Sequence, residues 1–172
     1  MAIIVPVVGD PIDVSHGISV ANELNDIGTL QVKQLAADVS KTGTSFSDIT
    51  GLSFAVVSGR EYAWEAYLFY EAANVNTGLS VSHNHGGGDS KQLILIYGAA
   101  AGNTSTTSYN SGTDTNTGTS TVASSGAIYM VVVTGYYFCT STGTFAMRYQ
   151  RNGTSATVTI KKGSVLRAHS VA

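Results

Sequence analysis

Two histidines separated by one residue, His83 and His85 in HNHGGGDS, are the side chains of this chain best spaced for chemistry. On an extended strand, positions two apart point the same way, so both imidazoles can converge on one metal ion. The same stretch also reads as an exposed turn, with glycines 86–88 giving flexibility and Asp89 polarity. Glu61 and Glu65 come next. Four residues apart on one strand, they stand about 13 Å apart, beyond the roughly 5–9.5 Å that glycosidase carboxylates need. Glu65 is better suited to pair with Arg148 or Arg167. Cys139 lies in the apolar run YYFCT without an adjacent histidine. That context predicts a buried, inert thiol, and a single cysteine excludes an intrachain disulfide. Asp10, Asp13 and His16 can be arranged as acid and base, although helix capping is the simpler role. No GxSxG elbow, phosphate-cradling glycine loop or HExxH occurs. These residues predict no enzyme.

Aromatic rings are the other chemical resource. Tyr62, Trp64, Tyr67, Phe69 and Tyr149 fall on strand-alternation positions, which predicts core or subunit interface rather than sugar stacking. Tyr109 stands in a polar segment and is the candidate for contact with a glycan.

These side chains need strands to position them. The blocks GLSFAVVSGREYAWEAYLFYEAANVNTGL and GTFAMRYQRNGTSATVTIKKGSVLRAHSV alternate apolar with small or polar residues and break at glycine-containing turns. That is the pattern of half-buried antiparallel strands. A strand over 61–70 puts Tyr62, Trp64, Ala66, Leu68 and Tyr70 on one face, and Glu61, Ala63, Glu65, Tyr67 and Phe69 on the other. Both faces are partly apolar, so cover is expected on both. Further strands are predicted over 30–35 (or to 39), 52–57, 79–83, 92–97, 127–134, 136–140, 144–149, 156–160 and 165–171. A polar connection is expected at 40–48. The Ser/Thr/Asn/Gly-rich segment 102–126 reads equally as a loop or as an exposed strand with threonine at alternate positions 113–121. The expected class is all-β, a jelly-roll β-sandwich. Before it, residues 1–12 form an arm interrupted by Pro6 and Pro11, and 13–26 read as a short capped helix ending near Gly28. The division is thus an attachment segment, 1–28, and a sandwich, 29–172.

Composition limits the partners. The chain has 172 residues, 43% hydrophobic but only 12% charged, with a net charge of −2. A 172-residue chain is long enough for one self-sufficient core. With no basic stripe, binding to nucleic acid or an anionic membrane loses its electrostatic basis. No stretch is long and apolar enough for a spanning helix, and MAIIVPVVGD lacks the basic start of a signal peptide. The sequons at Asn103 and Asn152 carry little weight without a secretory route. So few charges mean a surface covered by Ser, Thr, Asn and Gly, or one buried against other subunits.

The two blocks resemble the small jelly-roll modules of tailed-bacteriophage virion proteins, found in head decorations, minor tail proteins and fibres. Those modules are similar in fold to the trimeric C1q and tumour-necrosis-factor domains. The similar stretches are LSFAVVSGREYAWEAYLFY with NTGLSV, then GTFAMRYQ, RNGTSATVTI and KKGSVLRAHSV. The segment PVVGDPIDVSHGISVANELNDI is similar to the leader of many such proteins. Together they cover about half the chain, and the likeness rests on order and spacing rather than on a catalytic fingerprint.

The resemblance implies a virion structural protein at the particle surface and a homotrimer. Its partner is then the major capsid protein or a tail protein, contacted through Ile3, Ile4, Val5, Val7, Val8, Ile18 and Leu24. Three-fold symmetry would let His83 and His85 supply six nitrogens to an axial transition metal, as in phage spikes and fibres; no other cofactor is implied. A chain that begins at its own Met1 and has no shaft or coiled coil suits a capsid decoration. The alternative is a short tail-tip or receptor-binding protein whose loops, 86–90 and 102–126, contact host-surface glycans.

Overall fold

The structure, a computed structural model, describes residues 30–85, 87–97, 104–110, 119–122, 124–153 and 156–171, with the backbone alone for 88–97, 104–110 and 119–121. The expected arm and helix, including Ile3, Ile4, Val5, Val7, Val8, Ile18 and Leu24, lie outside the described residues, as do positions 111–118 of the threonine series.

Among the described residues every regular element is a strand. In chain order these are β1 (Gln31–Gln34), β2 (Val39–Lys41), β3 (Ser47–Val56), β4 (Glu61–Ala72), β5 (Thr77–Asn84) and β6 (Gly88–Tyr97). They are followed by β7 (Thr104–Asn110), β8 (Thr119–Thr121), β9 (Tyr129–Cys139), β10 (Gly143–Gly153), β11 (Val158–Ile160) and β12 (Val165–Ser170). All pairings are antiparallel. The larger sheet has eight strands in the order β1-β12-β4-β9-β6-β7, with β11 also on β4 and β2 on β11. The smaller runs β3-β10-β5-β8.

The twelve residues of β4 organise the larger sheet. Its alternation is strict: Tyr62, Trp64, Ala66, Leu68, Tyr70 and Ala72 are buried, while the residues between them are not. The buried set meets Phe54 of β3 and Phe145 of β10 across the space between the sheets. Phe54 and Phe145 stack at 4.8 Å, and Phe145 lies 4.9 Å from Trp64. Tyr149, Met147, Leu52 and Ile49 extend this core on the smaller sheet, and Val131, Val133 and Tyr137 on the larger. Tyr137 donates its hydroxyl proton to the Gly87 carbonyl, and burial pushes its phenol well above the usual range.

One flank of β4 is shared by two short strands. β12 pairs with Tyr62 to Tyr67, and β11 with Tyr70 to Ala72. The turn between them fills the gap: Ser164 Oγ accepts from the Phe69 amide at 3.0 Å, and the Lys161 amide donates to the Phe69 carbonyl at 2.8 Å. Lys161 then reaches Asp38 at 2.6 Å and Glu71 at 3.3 Å. The hydrogen bond from Lys161 holds the Asp38 carboxyl below its ordinary range, and the same bond raises the Lys161 ammonium.

Several local expectations change. The connection at 40–48 is partly strand, because β2 pairs with β11 and β3 begins at Ser47. The break expected between Thr134 and Tyr136 is absent. β9 runs through Gly135, which is bonded on one side opposite Trp64 and on the other opposite Gln92. Pairing to both neighbours carries β9 through a residue that by itself weakens a strand. Leaving no side chain across from the indole also suits the bulkiest core residue. The segment 102–126 contains β7 and β8, so it is not simply a loop.

Glycine is required at Gly153, where φ is +87° and an added Cβ would come within 2.1 Å of the Asn76 carbonyl oxygen. At Gly59 φ is +81° but nothing lies within 4 Å. Gly59→Ala is therefore expected to cost about 1 kcal/mol, from backbone strain alone, and Gly153→Ala roughly 3 kcal/mol or more. Urea unfolding midpoints of the two variants check this, and equal losses would contradict the steric argument.

Candidate functional site

The β4 residues left out of the core define the outer face of the larger sheet. Register places Arg167 of β12 beside Glu65, and His169 beside Ala63. On the other side, Thr134, Tyr136 and Phe138 of β9 lie opposite Glu65, Ala63 and Glu61. At the flank, Val32 of β1 pairs with Arg167. Leu30 is 62% exposed, Val32 53% and Phe138 40%, with Phe69 and Tyr136 close behind. An open groove of about 590 Å³ crosses this face, with Leu30 and Val32 on one wall, Thr134 on the other, and Ala63, Glu65 and Arg167 between them.

One ion pair sits at its centre. Glu65 accepts from Arg167 at 3.3 Å and from the Tyr67 hydroxyl at 3.1 Å, while the Arg167 guanidinium lies 5.7 Å from the centre of the Tyr67 ring. Of the two arginines expected for Glu65, the partner is Arg167; Arg148 instead pairs with Asp48 at 2.8 Å and donates to the Phe46 carbonyl. Glu61 is hydrogen-bonded to Tyr136, which raises that phenol. The face is thus apolar and aromatic, carrying the Glu65–Arg167 ion pair and the Glu61 carboxylate bound by a phenol.

The structure separates the residues predicted for core or interface. Tyr62, Trp64 and Tyr149 are core; Tyr67 and Phe69 lie on the outer face, where Phe69 is solvent-exposed. Sequence reasoning found both rows of β4 but missed Leu30, Val32, Tyr136 and Phe138 as their neighbours. The alternation of each strand was readable; which strands stand side by side was not.

His83 and His85 require a correction. They are not in an exposed turn: His83 is 1% exposed and His85 6%, and β6 begins already at Gly88. Both imidazoles lie in the interior, stacked on each other with centroids 5.1 Å apart. His83 stacks on Phe145 at 5.2 Å, and His85 lies 4.7 Å from Tyr137. Among the described residues no third histidine, cysteine, aspartate or glutamate joins them. Cys139 is buried, its thiol donating to the Ser141 carbonyl at 3.0 Å. Tyr109 belongs to β7, paired with Lys91, rather than to a loop.

Comparisons add little to this geometry. No protein-family model and no curated protein matches the chain. Among solved structures it is similar to a Clostridium thermocellum xylanase 10B with CBM22-1 and GH10 modules, complexed with xylohexaose. That likeness has 8% identity and a TM-score of 0.34, over 81% of this chain and 24% of that one. It is also similar to the VP2 subviral particle of infectious bursal disease virus, at 8% identity and a TM-score of 0.25, over 83% of this chain and 40% of that one. The Gt strain of the same virus gives 9% and 0.26, over 83% and 40%. The chain thus spans between a quarter and two fifths of the length of these structures. At such TM-scores the likenesses carry no argument about function.

Proposed function

We propose that this chain is a structural protein of a tailed-phage virion, a trimeric capsid decoration or minor head protein. Its sandwich is a jelly roll. Supporting that topology, consecutive strands alternate between the sheets from β2 through β11, with the β6–β7 hairpin as the one addition. Such switching is what two interlocked Greek keys produce.

The observation that carries the trimer is the outer face of the larger sheet. Four neighbouring strands at about 4.8 Å spacing, over some 25–30 Å, give a patch on the order of 500 Å². The largest apolar patch on a typical monomer is about 300–600 Å² and is often a functional contact surface. The Glu65–Arg167 pair satisfies itself, so covering the face strands no isolated charge. A second copy is the partner with the least charge to oppose it, since only 12% of the chain is charged. Closed three-fold packing would hide Val32, Phe69 and Phe138 on every subunit alike. Residues 1–28 would then anchor the trimer to the capsid. Binding the assembled lattice better than its separated capsomers stabilises the shell, as any selective ligand does.

Light scattering of the purified protein is expected to give three protomers. Val32→Lys with Phe138→Lys should produce a folded monomer, with an unchanged circular-dichroism spectrum and association weakened at least tenfold. A wild-type monomer, or a trimer indifferent to both lysines, would refute the interface. Removal of residues 1–28 is expected to abolish binding to expanded capsids; heads coated normally by the shortened protein would rule out the anchor. Binding of the intact protein to host cell-wall glycans instead of heads would favour the tail-tip alternative.

A further inference from the structure

Lys161 stands between two carboxylates, Asp38 and Glu71, at the corner where β2, β11 and β4 meet. We propose that Lys161 and Asp38 condense into an isopeptide bond, with Glu71 as the proton carrier. The mature chain would then hold a covalent clasp between the start of β2 and the turn after β11.

The reacting groups are already in contact. Lys161 Nζ lies 2.6 Å from Asp38 Oδ2 and 3.3 Å from Glu71 Oε1. Asp38 Oδ1 accepts from the Lys162 backbone amide at 2.7 Å. Amide formation needs a nucleophile, a carboxyl carbon, a base and a donor to the developing oxyanion, and this corner supplies all four. The backbone fixes them in place. On one side of the contact, Ile160 of β11 is paired with Val39 of β2. On the other, the Gly163 amide donates to the Leu35 carbonyl at 2.9 Å, and the Leu35 amide to the Ser164 carbonyl at 2.8 Å. The Lys161 amide is itself bonded to the Phe69 carbonyl of β4 at 2.8 Å. Well-oriented groups held this way react as though at local concentrations on the order of 10⁵–10⁸ M. That offsets the tendency of water to keep a free acid and a free amine apart.

The resting pair is ionic, because the shared hydrogen bond favours the charge on both partners. Proton transfer across their contact gives the minor neutral form, amine and carboxylic acid. The Nζ lone pair adds to Asp38 Cγ, and the negative charge that develops on Oδ1 faces the Lys162 N–H. Glu71 removes a proton from the nitrogen and returns it to the Oδ2 hydroxyl. Oδ2 departs as water, the carbonyl re-forms at Oδ1, and Glu71 is again a carboxylate. Nothing is oxidised or reduced, and no further reactant is required. The neutral form is scarce, so the step is slow, but each chain needs it only once. With the Lys161 side chain 23% exposed and that of Asp38 40%, the amine is the more sheltered and the water has a way out.

The bond closes residues 38–161 into a ring that contains every described strand except β1 and β12. Tension entering through residues 30 and 171 would cross the clasp and bypass the strands within the ring.

Mass spectrometry of the full chain, denatured after prolonged incubation at neutral pH, tests the clasp. The wild type is expected to be lighter than its sequence by one water molecule. Its protease digest should contain a branched peptide joining Asp38 to Lys161. Lys161→Arg should keep the full mass, and Glu71→Gln should acquire the bond roughly tenfold or more slowly. A wild type of full sequence mass would overturn the proposal. So would a missing water that persists in Lys161→Arg, since the loss would then lie elsewhere. Equally fast bond formation in Glu71→Gln would overturn the role given to Glu71.

Discussion

Everything in this molecule depends on the burial of one face of β4 against the smaller sheet. Six alternate side chains, from Tyr62 to Ala72, are removed from water together. At roughly 25 cal/mol per Å² of apolar surface, and with aromatic rings of 150–250 Å² among them, this one row supplies a large share of the drive to fold. The same pleat forces the intervening residues outward. The core and the exposed apolar face are therefore two consequences of one strand, and neither can shift without the other.

This coupling divides the strand into a packed side and an open side. The inward row is crowded, ring against ring, and leaves little freedom for chemistry. The outward row holds Tyr67, Phe69 and Glu65, and it gains breadth only because β12 and β9 bring Arg167, Tyr136 and Phe138 into register. Strand β1 adds Leu30 and Val32 at the rim. What the face offers is area and shape, with Glu65 and Arg167 already paired to each other. That suits association with a surface of similar character better than capture of a small charged molecule.

Much of the fold was legible in the residues. The strict alternation from Glu61 to Tyr70 announced a strand with a core side, and the glycine turn at Ser58-Gly59 announced its start. Misreadings came where residue type and environment disagree. HNHGGGDS is polar and glycine-rich, yet the aromatic rings of Trp64, Phe145 and Tyr137 enclose its histidines; composition suggested a turn, and tertiary packing overrode it. Gly135 looked like a break, because a glycine's role in a strand depends on neighbours distant in sequence. The three residues of β2 carried no periodic signal at all, and exist because β11 offers them partners. For the candidate face, its rows could be read singly, but their adjacency is long-range and was not written locally.

The pairing of β1 with β12 sets Gln31 against Ala168, so residues 30 and 171 leave the larger sheet at one corner. Extra polypeptide joined at either place would emerge from a common foot. A tether fastened at that corner would hold the domain like a flag on a pole, gripped where β1 begins and β12 ends.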